Sequence, residues 1–333
     1  MISHPPPRPA NAVPAGPTVL REAGPLSLLT WPALDASGAD AAVTARSGGV
    51  SSGPYASLNL SLNVGDDPRC VLENRRRLAA SLGASPADFV FAGQVHQAGV
   101  RVVGEPDRGR GAFSLEDAIP GTDALVTTSP AVVLAILTAD CVPIVLHDPV
   151  AGVLACVHAG WRGTAAGVAA AAVAAMQALG SRPPDVIAGI GPAIAPARYQ
   201  VGPDVYQAVT RAFGSAASAV MRPDSVPGRW RLDLWAANRL ALREAGVPDP
   251  QIHTTILPTG PTGPITPTHP TGPSSPSDSS TPAGPPSPSS PAVPTHPGHF
   301  FSDRSARPCG RLALVARLRA PARAPMDVTA SWL

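Results

Sequence analysis

Two histidines and a cysteine carry the side chains best suited to chemistry. His96 lies in "GQVHQAG", Cys141 in "LTADCVPI" and His158 in "VHAGWRG". Each stands where a run of small or branched apolar residues meets a polar break. Two imidazoles and a thiolate with one position left open make up a catalytic zinc site. Such an ion lowers the pKa of a bound water toward ~7 and yields a nucleophile at neutral pH. The three residues are 45 and 17 positions apart, which matches neither HExxH nor paired CxxC spacing. Each therefore also has a plain reading: a histidine closing a half-buried strand, or a cysteine acting as a small hydrophobe. On residue types and spacing alone, both readings stand.

The neighbouring residues sharpen the first reading. "AGWRGT" opens the Ala-rich stretch "TAAGVAAAAVAAMQALG", which reads as a helix over 164–179. Free backbone N–H groups at its start, with Arg162 beside them, would suit an anion. Arg46 precedes "SGGVSSGPY", either a turn that approaches a ligand or an ordinary hairpin. Cys156 shares a strand face with His158, and its apolar flanks indicate packing. His147 sits next to a turn and reads as surface; His4, His253, His269, His296 and His299 lie in or near flexible segments. "GIGPAI" is not a GxGxxG fingerprint, and neither a Walker A motif nor a GxSxG elbow occurs.

These residues need elements to position them. "AAVTAR" and the alternating "LNLSLNV" read as strands, and "DPRCVLENRRRLAASLG" as a helix between Asp66–Asp67 and Gly83. "DFVFAGQVHQAGVRVV" holds two short strands. "TDALVTT", "VVLAILTADCVPIVLHD", "AGVLACVHAG" and "DVIAGIGPAI" add more, and "WRLDLWAANRLALREAG" supplies a later helix. The expected class is α/β or α+β, a layered domain with mixed sheets.

Residues 1–25 read as a Pro-rich leader and 319–333 as a tail. One domain over 26–318 is interrupted at 258–299, where prolines recur every third residue from Pro258 to Pro297 with a skip at Ser279 and an extra Pro286. That period would line one edge of a polyproline II helix, either a docking tract for a partner or a solvated spacer. What remains is about 230 residues, enough for one large core. A net charge of +2 points to no nucleic-acid partner. Four cysteines make no disulfide scaffold, and neither a secretory leader nor a membrane span is read, so a cytoplasmic setting with reduced thiols is expected.

Taken together, "RSGGVSSGPYASLNLSLNVGDD", "ENRRRLAASLG", "GQVHQAGV", "TDALVTT", "LTADCVPIVLHDP", "VHAGWRGT", "GIGPAIAPARYQVG" and "LDLWAANRLALREAGV" resemble the YfiH/laccase-domain family. That family is also called multicopper polyphenol oxidoreductase and, more recently, purine nucleoside phosphorylase. The motifs keep the family's order over residues 27–257 and 300–318. The resemblance implies a layered α/β/β/α fold related to cytotoxic-necrotizing-factor-like cysteine hydrolases. It implies zinc held by His96, Cys141 and His158, with copper in the older laccase reading. The implied substrates are purine nucleosides and phosphate, giving phosphorolysis of adenosine, inosine, guanosine and methylthioadenosine and deamination of adenosine. Arg46, Asn59 and Arg162 are the substrate-binding residues this reading selects.

The chain departs from the family pattern at two places. Pro258 and Thr259 stand where the family has a Cys-Thr pair, and "FFSDRSA" replaces "FFSYRRD" or "FFSHRRD", placing Asp303 and Ser305 in altered positions. Two other enzymatic readings remain open here. One is a cysteine hydrolase acting on an amide, with Cys141 as nucleophile and His158 as base, in line with a branch linked to peptidoglycan-precursor editing. The other is a copper polyphenol oxidase, which needs many closely spaced histidines; the core region holds only His96, His147, His158 and His253. A non-enzymatic scaffold that binds partners through its proline tract is the third alternative.

Overall fold

A computed structural model describes residues 18–260 and 298–320. The chain forms strands β1 (Val19–Ala23), β2 (Leu26–Thr30), β3 (Ala39–Thr44), β4 (Phe89–Gly93), β5 (Val100–Val102), β6 (Ile119–Pro120), β7 (Ala124–Thr127), β8 (Val133–Thr138), β9 (Val142–Asp148), β10 (Val153–Ala159), β11 (Ile187–Ile190), β12 (Gln200–Val201), β13 (Met221–Pro223), β14 (Trp230–Leu232), β15 (Ile252–Thr254) and β16 (Leu312–Leu318). Its helices are α1 (Pro32–Ser37), α2 (Pro68–Ser81), α3 (Trp161–Ala165), α4 (Val168–Ala178), α5 (Pro203–Phe213), α6 (Ala217–Val220) and α7 (Leu234–Glu244).

Two mixed sheets stack face to face. The first runs β1-β2-β3-β16-β8-β4-β6 and the second β15-β11-β9-β10-β7-β5; β12, β14 and β13 form a small third sheet. Strand periodicity sorts the side chains. Along β10, Leu154 and Cys156 enter the layer between the large sheets, where they join Val145, Ile136 and Leu314. Val153, Ala155 and Val157 point the other way, against Val173, Met176 and Leu242 of α4 and α7. On the outer face of the first sheet, Phe91, Ala135 and Val315 bury Leu78 and Ala79 of α2. The order of layers is α/β/β/α, as the family resemblance implies. No helix of the described residues is long and apolar enough to cross a membrane.

Several local expectations are corrected. "LNLSLNV" is not a strand: Leu58 and Leu60 are buried, but their N–H groups donate to Arg46 and Arg311 carbonyls rather than to a ladder. Its alternation reflects apolar anchors of an irregular segment. The Ala-rich helix is two helices, parted at Gly167 with φ of 82°, so α3 is a five-residue turn rather than a long dipole. His147 is buried, with Nδ1 2.8 Å from the Ser37 hydroxyl, and burial pushes its pKa down to about 4. His253 is also buried, in β15. β1 begins inside the span read as leader and pairs with β2 from Val19 to Ala23.

The proline-rich span also begins later than its composition suggests. Pro258 bridges to Ala193, and the Thr259 N–H donates to the Ala193 carbonyl at 2.9 Å. The Gly260 N–H reaches the Phe300 carbonyl at 3.4 Å, so the two sides of the span meet. The periodic prolines from Pro261 to Pro297, most of the leader and the end of the tail lie outside the described residues. Joining Gly260 to Gly298 through a short Gly/Ser link should therefore leave Tm within about 3 °C of the full chain, below the effect of roughly 1 kcal/mol. Removing 258–298 should lower it further, because Thr259 goes too. Equal melting curves for the two deletions, by differential scanning fluorimetry, would count against this boundary.

Candidate active site

The three candidate ligands meet where the chain passes from one sheet to the other. β4 belongs to the first sheet and β5 to the second, and His96 sits on the connection between them. β8 and β9 are divided in the same way, with Cys141 on their tight connection. His158 is the penultimate residue of β10 and pairs in register with Pro143 of β9. Crossing strands thus bring residues distant in sequence to one end of the sandwich. The donor atoms of His96, Cys141 and His158 all lie within 4.8 Å of one another, and the two imidazoles stand edge to face at 84°.

Asp123, at the entrance to β7, holds this arrangement. It is fully buried. Its carboxylate accepts the N–H groups of Val95, His96 and Gln97 at 3.2, 3.0 and 2.8 Å. These bonds pin a turn in which His96 adopts a φ of 60°, a left-handed conformation that non-glycine residues rarely adopt. The same carboxylate lies 2.8 Å from His158 Nδ1. That leaves His158 Nε2 for the cluster and fixes the ring's orientation, the arrangement common behind metal-binding histidines.

The charges follow from the geometry. Burial alone would push the Cys141 thiol up, but the charges and hydrogen bonds of His158 and His96 bring it down to about 6. Burial alone would lower His158; the Cys141 thiolate and Asp123 instead raise it to about 9. Each group thus favours the charged form of the other. Cys156 is fully buried among apolar groups, which push its thiol up, so it packs beside the site and takes no part in it.

Glycine keeps the cluster open. A Cβ at Gly160 would stand 2.8 Å from Cys141 Sγ and 3.2 Å from His96 Cδ2. Nitrogen and sulfur donors in one cluster, a thiolate, an oriented histidine and a gap that one methyl group would fill together suit a borderline metal such as zinc.

The cluster lies in a cleft of about 680 Å³. Trp161, Tyr199 and Phe91 contribute aromatic surface, and five arginines outnumber the two aspartates of the lining. Three of those cations are already engaged. Arg75 donates to the Leu60, Gly111 and Ala112 carbonyls, and Asp303 pairs with Arg307 and Arg311. Among the described residues, Arg162 and Arg304 pair with no carboxylate, and Arg304 Nη1 makes one long bond, 3.4 Å, to the Gln200 carbonyl. Their guanidinium carbons lie 4.2 Å from the Trp161 ring centroid and 5.4 Å from that of Tyr199.

The structure thus brings His96, Cys141, His158 and Arg162 to one cleft, and leaves Arg46 and Asn59 outside its lining. The Arg46 guanidinium donates to the Ala56 carbonyl and covers Phe301. Asn59 is wholly buried and spends its amide on Ser61, Asp66 and the Arg311 N–H. Both shape the loop behind the cleft. Sequence reasoning passed over Asp123, Tyr199 and Arg304 as site residues; an acid opening the apolar "ALVT" was the one available signal for Asp123.

A family model described as multi-copper polyphenol oxidoreductase laccase matches residues 40–262. The chain belongs to that family. Among its relatives is the purine nucleoside phosphorylase YlmD of Geobacillus stearothermophilus, 43% identical over 66% of this chain and 80% of that protein. The adenosine deaminase RL5, from an unknown prokaryotic organism, is 40% identical over 60% of this chain and 75% of its own length. The crystal structure of YlmD from Geobacillus stearothermophilus superposes with a TM-score of 0.76 at 35% identity, covering 91% of this chain and all of that one.

Two outcomes follow from the geometry. Gly160→Ala keeps an ordinary backbone conformation, so its secondary structure by circular dichroism should be unchanged, while zinc affinity falls by more than about tenfold. In the metal-free protein, Cys141 should react with iodoacetamide with a half-maximal rate near pH 6 rather than ~8.5, with zinc protecting it. Peptide mass mapping assigns the site, and a profile centred above pH 8 would contradict the charge pair.

Proposed function

We propose that this chain is a purine nucleoside phosphorylase that uses one metal ion, zinc by its donor set, and that it also deaminates adenosine. The observation that carries the reading is the His96–Cys141–His158 cluster in a cleft whose wall offers Arg162 and Arg304 without carboxylate partners. The names of the relatives support the substrate class. Bound to the three donors, zinc would supply Lewis acidity toward the cleft.

The chain's own groups do the rest. Arg162 and Arg304 hold the phosphate by charge-assisted hydrogen bonds. A phosphate oxygen forms a bond to ribose C1′ while the C1′–N9 bond breaks, its electron pair leaving with the purine. Trp161 and Tyr199 provide faces for a flat base. Asp123 keeps His158 in one tautomer and orientation throughout. Deamination instead adds water at the purine C6 and releases ammonia, leaving the C1′–N9 bond intact and using no phosphate, so the two activities separate when phosphate is omitted.

One metal is also the economical reading of the histidines. His147 is committed to Ser37, and among the described residues His96, Cys141 and His158 are the group able to share an ion.

A second reading rests on one specific observation. Cys141, His158 and Asp123 line up as nucleophile, base and orienting carboxylate, with Cys141 Sγ within 4.8 Å of the His158 ring nitrogen and His158 Nδ1 2.8 Å from Asp123. That would serve a cysteine hydrolase acting on an amide. Metal content separates the two: zinc bound one per chain and lost in Cys141→Ser favours the phosphorylase, while turnover by metal-free protein that alkylation abolishes favours the hydrolase.

The deciding assay incubates the protein with inosine or adenosine, with and without phosphate, and follows hypoxanthine, adenine and ribose 1-phosphate. His158→Ala should lose zinc and lower both activities by more than about a hundredfold. Normal zinc content and turnover in that variant would refute the assignment.

A further inference from the structure

Arg75, Arg307 and Arg311 of the cleft are spent on carbonyls and on Asp303, and the periodic prolines from Pro261 to Pro297 lie outside the described residues. Asp140 is the group whose geometry remains to be explained. It occupies the turn between β8 and β9, directly before Cys141, with a φ of 81°. A non-glycine residue stays in that conformation only when its surroundings over-determine it. Here they do. The Ile194 N–H donates to the Asp140 carbonyl at 3.0 Å, and the Thr138 hydroxyl donates to the Cys141 carbonyl at 2.6 Å.

The carboxylate takes one donor on each oxygen. The Thr259 hydroxyl donates to Oδ1, and the Arg304 N–H donates to Oδ2 at 2.6 Å. These donors lie 119 and 164 residues away in sequence. Thr259 is itself fastened, its N–H on the Ala193 carbonyl at 2.9 Å. Arg304 faces two ways: its backbone holds Asp140, and its guanidinium covers Tyr199 in the cleft.

We propose that Asp140, clamped by the Thr259 hydroxyl and the Arg304 N–H, is a positioning residue that fixes the Cys141 thiol relative to the cationic wall. The proposal rests on the single-metal reading given above. Through this clamp the metal-ligand turn and the anion-binding arginine share one carboxylate. Loosening one contact therefore disturbs both metal affinity and phosphate affinity, although neither Asp140 nor Thr259 is a ligand of the cluster.

Thr259→Val keeps the side-chain shape and removes the donor. Zinc affinity, by chelator competition on the full chain, should fall about 10- to 100-fold, the range seen for groups that orient metal ligands. The thiolate-to-metal charge-transfer band of the cobalt-loaded protein should weaken or shift, and KM for phosphate should rise more than kcat falls. Thr259→Ser restores the hydroxyl and should stay within about threefold of the parent in zinc affinity. If Thr259→Val does not fold, Asp140→Gly, which tolerates the φ of 81° and leaves both donors without their acceptor, should show the same losses. A variant with parental zinc affinity and an unchanged cobalt spectrum overturns the proposal, even if its Tm is lower. A parent chain that binds no zinc would sink the single-metal reading instead. The clamp is then read from the Cys141 alkylation rate in Thr259→Val, where an unchanged rate overturns it.

Discussion

The Asp123 carboxylate accepts three consecutive backbone N–H groups and meets the His158 ring. A buried carboxylate is costly unless its lone pairs are satisfied. Here those lone pairs are satisfied by the parts of the chain that must be held still. The turn at His96 links the two sheets and the end of β10 belongs to the second, and Asp123 joins them. The α/β/β/α stack serves the same end: it brings two sheet-crossing connections and one strand terminus to a single edge, where short loops project donors at close range.

Much of this was legible in the sequence. The apolar runs before Cys141 and His158 mark buried strands, and the long motifs fix the family and layer order. The alternation in "LNLSLNV" misled, because period two also arises when Leu58 and Leu60 anchor an irregular segment with no neighbouring strand. Gly167 broke the Ala-rich helix, an ordinary outcome for a residue that readily takes positive φ. Arg46 and Asn59 looked like ligand groups because polar side chains in Gly- and Ser-rich loops often are; their partners are mostly backbone groups, with the Asp66 carboxylate and the Phe301 ring beside them, and no local pattern discloses these.

The clamps at Asp123 and Asp140 were less legible still. Each depends on donors far away in the chain, so neither sequence spacing nor residue type signals it. Thr259 illustrates the point. In the sequence it belongs to the opening of a proline-rich tract; in the fold it completes the hydrogen bonding of the residue preceding Cys141.

The meeting of Gly260 with Phe300 bears on how such a tract can arise. Once the two sides of an excursion are in contact, doubling its length costs only about 0.6 kcal/mol in closure entropy. Replication slippage in a three-residue repeat can then add or remove units with little penalty from the folded domain. Selection on the fold would then act on the joint at Thr259 and Gly260 and leave repeat number free to drift.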